Sequence, residues 1–146
     1  AEQNRMDGVA RQIPLEAIAH GQRRWALALE AYRVTRSRPI VESPEDLDIG
    51  GTLVPASRGP DGRLLRIRYL KQAFPTLAAS DLIQNPRLAS KLAGKVVFVG
   101  VTALSAARDR VVGPSGDAMP GVEVHAQAFE TLAQERFLRP ASNLSL

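Results

Sequence analysis

The chain has 146 residues, 45% of them hydrophobic and 23% charged, with no cysteine. That is the size of one globular domain able to bury a core unaided, and it excludes disulfides, thiolate metal sites and cysteine nucleophiles. Nineteen basic against fifteen acidic residues give a net charge of +4 without a basic block, and aromatics are only 5%, so nothing points to nucleic acid. The longest apolar run, Val96-Val97-Phe98-Val99, is strand-sized and far below the about 18–20 residues that cross a bilayer as a helix. The start, Ala1 to Asp7, is polar and has no signal-peptide pattern, so an export signal is expected outside these residues.

Arg11 to Ala19 alternates loosely, with Ile13, Leu15 and Ala17 on one parity, and reads as a strand that Pro14 confines to an edge. Gly21 ends it. From Arg24 to Arg36, Trp25, Leu29 and Tyr32 recur at helical spacing, and the helix should stop before Pro39. Residues 37–50, rich in proline and acidic groups, read as a polar loop. Thr52 to Pro55 and Leu64 to Leu70 read as a hairpin around Gly59-Pro60-Asp61-Gly62. In its second strand Leu65, Ile67 and Tyr69 share one face, and Arg66 and Arg68 the other. One or two short helices over 80–92 follow, with Ser80 as N-cap and Gly94 as the stop. Lys95 to Val99, an unbroken apolar run between two glycines, has the pattern of a central strand buried on both faces. The expected class is therefore α/β, a mixed sheet with that buried central strand flanked by helices. Val101 to Met119 reads as a long loop, and Pro120-Gly121 opens a helix carrying Val122, Ala126, Phe129 and Ala133 that Arg139-Pro140 closes.

A strand, a glycine, a loop and a helix form the layout in which α/β proteins bind ligands at the carboxyl edge of a sheet. Gly100 stands there alone, so the three-glycine dinucleotide fingerprint is absent, and Gly94-Lys95 precedes the strand instead of following it as a phosphate loop requires. His125 shares a helix face with Val122, Phe129 and Leu132, one turn from a positive helix end that disfavours its protonation, and Asp109 is the carboxylate expected to partner it. Ser105, Asp109 and His125 follow the chain order of α/β-hydrolases, but no Gly-x-Ser-x-Gly elbow presents the serine. His20 and His125 are the two histidines, and neither has metal-ligand spacing, so no metal and no cofactor are expected. The pairs Arg23-Arg24, Arg66/Arg68 and Arg108/Arg110 have the fork geometry that clamps carboxylate or phosphate. One function class open on these residues is thus a small enzyme or binding protein for a phosphorylated metabolite, built on the Gly100 edge and the Arg108/Arg110 pair.

Three segments together carry a resemblance. Lys95 to Ala103, then Asp109 to Pro114, then Pro120-Gly121-Val122-Glu123-Val124-His125-Ala126 resemble, in order and spacing, the type-two CHASE family of extracellular sensory domains. Asp7 to Leu15 is similar to that family's Asp-Gly-Val-x-Arg-x-x-Pro-Leu segment, and Ile67-Arg68-Tyr69 through Ser80-Asp81-Leu82 to its middle. The resemblance implies one extracytoplasmic sensory domain over residues 1–146, lacking the family's amino-terminal part. It implies a non-catalytic input module of a bacterial membrane receptor with a histidine kinase or nucleotide cyclase output. The partners implied are a small-molecule or envelope signal, adjoining transmembrane helices and a second copy in a homodimer, with no nucleic acid. Gly100, Thr102, Asp109, Arg110, Pro114 and His125 are the candidates for ligand binding or signalling. Leu104-Ser105 and Gly113 depart from the family pattern, which commonly has glycine and threonine at those places.

Overall fold

The computed structural model describes residues 2–3, 7–103 and 109–139. In chain order the elements are β1 (Glu2–Gln3), β2 (Ala10–Pro14), β3 (Glu16–Ala19), β4 (Gln22–Trp25), α1 (Leu27–Arg36), β5 (Ile40–Glu42), β6 (Asp46–Ile49), β7 (Thr52–Pro55) and β8 (Leu64–Arg66). They continue with α2 (Ala79–Gln84), a 3₁₀ segment (Pro86–Leu92), β9 (Arg110–Val112), β10 (Ala118–Pro120) and α3 (Gly121–Ala133). Helices and strands mix as the α/β class requires. The sheets themselves are small and antiparallel: β1-β2-β8, β5-β6-β7, and the pairs β3-β4 and β9-β10, with one parallel bridge from Val9 to Val112.

One apolar core joins these pieces. Ile13 and Leu15 from the β2 stretch, Leu29 and Tyr32 from α1, Leu47, Ile49 and Val54 from β6 and β7, and Val124, Ala128 and Leu132 from α3 are all buried together. Leu29 and Tyr32 are one turn apart on α1, and Val124, Ala128 and Leu132 recur every fourth residue on α3, so each helix offers one stripe to the other and to the sheets. Tyr32 meets Phe129 edge to face, 6.3 Å between ring centroids.

Several expectations are corrected. Arg11 to Ala19 is two strands, β2 and β3, and β2 lies in the middle of its sheet; Pro14 is tolerated because β1 pairs only with Gln12 and Ala10, short of the proline. Arg24 and Trp25 belong to β4, so α1 starts three residues later than the periodicity implies. The β3–β4 turn has positive φ at both His20 (50°) and Gly21 (71°), the backbone a two-residue hairpin demands. The polar loop at 37–50 contains β5 and β6, because Leu47 and Ile49 point inward while Asp46 and Asp48 alternate with them. β7 pairs with β6 and β8 with β2, so Thr52 to Pro55 and Leu64 to Leu70 lie in different sheets, although Gly59 and Gly62 do bridge across the Pro-Asp turn. Ala78, not Ser80, is the N-cap of α2. Met119 and its neighbours, read as loop, include the β9–β10 hairpin.

The largest correction concerns Lys95 to Val99. The segment is extended but pairs with no strand among the described residues, and Val96, Val97 and Val99 are exposed, so it is not a buried central strand. The apolar pattern fits a strand buried on both faces, but burial needs a neighbour on each side, and the described residues supply only a helix on one.

Candidate functional site

The segment from Val96 to Val101 lies along α3 with alternating faces. Phe98 stacks edge to face on Phe129, 5.8 Å between centroids at 62°. Gly100 sits so close to α3 that a Cβ there would lie 2.5 Å from Cβ of Val122. Phe129 is two helical turns beyond Val122 while Phe98 precedes Gly100, so the segment runs antiparallel to the helix. The odd residues point away from the helix: Val97, Val99 and Val101 are 48%, 86% and 65% exposed.

Asp109 enters at the first turn of α3. Its backbone carbonyl accepts the Gly121 N–H at 2.8 Å, and its carboxylate occupies the place where a side chain at Gly121 would begin. Glycine is therefore required at 121 by the close approach of a carboxylate, which also lies at the positive end of the helix. His125, one turn further, is half-buried, and its Nδ1 is buried with no hydrogen-bond partner among the described residues. Burial holds its imidazole below the ordinary pKa of 6.5, and the negative charge of Asp109 partly offsets this. The expected Asp109–His125 relation is thus electrostatic; no hydrogen bond joins them among the described contacts.

The remaining candidates divide. Arg110 on β9 donates to the carbonyls of Thr102, at 3.4 Å, and Ala118, at 3.2 Å, so it ties the extended segment to the β9–β10 hairpin. Pro114 is exposed in the turn of that hairpin, which Gly113 and Gly116 close by N–H bonds to Asp117 and Gly113 carbonyls. Gly100, Asp109 and His125 therefore gather on the first turns of α3, Thr102 and Arg110 brace that edge, and Pro114 stands apart at the hairpin tip. Ser105 and Arg108 lie outside the described residues, as do Leu104 and the rest of 104–108.

Of the arginine pairs read from the sequence, Arg23 does clamp a carboxylate, but one within the chain, and its companions there are Arg58 and Arg63 and not Arg24. Glu42 of β5 accepts from Arg23 at 2.6 and 3.0 Å and from Arg58 at 2.9 Å, with Arg63 at 3.4 Å. Arg23 also pairs with Glu16 and lies over the Trp25 ring at 4.1 Å. Arg63 is 1% exposed and donates to the Ala56 and Ser43 carbonyls at 2.6 and 2.5 Å. Its only signal in the sequence is its place in the alternation before Leu65 and Ile67, which a charged residue hides. Together these cations hold Glu42 at about 2, far below the carboxylate norm. The cluster staples β4, β5 and the 56–63 turn, and each of the three guanidinium groups is engaged within it, although Arg63 Nε is buried with no partner among the described residues. Among the described residues no group of three His, Asp or Glu side chains is placed to hold a metal ion.

The arrangement thus supplies a shaped edge, an imidazole and a carboxylate. Compared with known families, the chain matches the model of the CHASE2 domain over residues 3–145. The chain belongs to the CHASE2 domain family. No curated protein and no solved structure matches it. CHASE2 domains are extracellular sensory domains of receptors, which supports a sensory role and an extracytoplasmic place for this one. No helix among the described residues is long and apolar enough to cross a membrane.

Proposed function

We propose that the chain is a single sensory domain forming the input module of a bacterial transmembrane receptor, whose output is a histidine kinase or nucleotide cyclase and whose signal enters at the first turns of α3. The family match over residues 3–145 carries this reading. The geometry supports the place: Gly100, Asp109 and His125 meet at one end of a 13-residue helix that packs on α1. A small molecule or envelope component bound there signals only by its different affinity for two arrangements of the receptor, and a homodimer offers such arrangements to the adjoining membrane helices. Of the Arg108/Arg110 pair on which the phosphorylated-metabolite reading rests, Arg110 donates to two backbone carbonyls.

The test is made in the intact receptor. Asp109→Ala and His125→Ala should each change the output response by at least tenfold in signal sensitivity while the isolated domains keep their circular dichroism and melting midpoints. Unchanged signalling by folded variants removes the first turns of α3 as the signal-entry site.

A further inference from the structure

The far end of α3 is fixed by a different set of contacts. After Ala133, Gln134 caps the helix through its N–H to the Glu130 carbonyl at 2.9 Å, and Glu135 turns the chain with φ of 52°. Left-handed backbone is uncommon for glutamate, and helix ends of this type ordinarily use glycine or asparagine. Two bonds hold Glu135 there: its N–H donates to the Leu132 carbonyl at 3.1 Å, and its Oε1 accepts from Thr52 Oγ1 at 2.7 Å. Thr52 Oγ1 in turn accepts from the Tyr32 hydroxyl at 3.1 Å, and both Tyr32 and Thr52 are buried. Two residues past the turn, Phe137 packs against the core.

The direction of this relay follows from proton counting. Threonine has one hydroxyl proton, and Glu135 takes it, so the Tyr32 proton must point at Thr52. The relay starts in the α1 core and ends on a carboxylate, which makes its last bond charge-assisted. Glycine or asparagine would relieve the backbone at 135 but would not reach Thr52. The residue that costs more in the backbone is the one that makes the bond.

We propose that Glu135 is a positioning residue: the Thr52–Glu135 bond clips the exit of α3 to β7 and α1 and so fixes the direction in which residues 136–139 leave the helix. The clip and the Asp109 end lie roughly 20 Å apart, the length of a 13-residue helix at about 1.5 Å per residue. Under the receptor reading, on which this consequence rests, a change at the first turn of α3 reaches the output through a helix whose exit is held here.

Nitrogen-15 relaxation on the 146-residue chain tests the clip with E135N and E135Q. Both bear the same amide, but only glutamine has the reach to accept from Thr52, and asparagine suits the left-handed backbone. The expected order parameters for the 136–139 amides are about 0.8 in the wild type and E135Q and below about 0.6 in E135N, with α1 and α3 unchanged in all three. T52V should loosen the same amides and T52S should not. Equal order parameters in E135N and E135Q, or loosening that spreads through α3, overturns the clip. In the intact receptor, E135N that loosens the exit yet signals normally overturns the signalling consequence and leaves the clip standing, whereas a rigid exit with altered output overturns the clip.

Discussion

Residues 10–67 and 111–132 supply every buried side chain among the described residues, while the stretch from 68 to 110 supplies none. The contrast does not follow hydrophobicity. Ile49 follows Asp48 at the end of an acidic stretch and is fully buried, whereas Val99, in the most apolar run of the chain, is 86% exposed. Ile49 belongs to a strand paired within a sheet that packs on the core. Val99 belongs to a segment with a helix on one face and no strand beside it among the described residues. Burial comes from the neighbours a residue can pair with, and the apolar pattern registers only its demand for them.

The largest effect that would test this contrast is a truncation on each side of it. Leu132→Ala should lower unfolding stability by about 2–5 kcal/mol in urea denaturation, because the cavity opens in a packed core. Val99→Ala should stay within about 0.5 kcal/mol of the wild type. Similar losses at both positions would erase the division.

A sharper probe lies at the boundary of the two regions. Gly121→Ala should cost about 1–3 kcal/mol by overpacking, since the new methyl group meets the Asp109 carboxylate. In an Asp109→Ala background the same substitution should cost clearly less, and equal costs in the two backgrounds would show that the carboxylate is not the obstacle.

The smallest expected effect concerns the charged staple inside the packed region. Glu42→Gln should lose about 1 kcal/mol near neutral pH, the scale of a partly exposed ion-pair network. Glu42 is held at about 2 against an ordinary 4.5, so its contribution is complete above pH 4.5 and is lost as pH falls from 4.5 toward 2. Chemical denaturation at stepped pH should therefore show a shallower acid decline in the variant than in the wild type. Parallel declines would place the acid sensitivity elsewhere.

Much of the packed region is legible in the sequence, and the reasons are local. Leu29 and Tyr32 on α1 and the face shared by Leu65 and Ile67 are read directly from periods of 3.6 and 2, whereas on α3 the helix is legible but its buried stripe is Val124, Ala128 and Leu132 and not Val122, Ala126, Phe129 and Ala133. The class and the placement of Asp109 and His125 around the start of α3 also follow from order and spacing. What escapes is pairing. Nothing within Asp46 to Ile49 announces a central strand, since two aspartates mask two buried residues. Nothing near Thr52 says that its partner strand lies before it and not after the Pro-Asp turn. Gly121 illustrates the same limit at the site: its position at a helix start is readable, but the carboxylate that forbids a side chain comes from twelve residues earlier.

The outward row of Val97, Val99 and Val101 has one more consequence, for handling the molecule. An extended apolar segment with no neighbouring strand among the described residues is a template for another chain, and β-branched residues suit such pairing. From Lys95 to Val101 a single charge, on Lys95, opposes it. Lys95 therefore stands as the gatekeeper at the mouth of an otherwise uncharged segment.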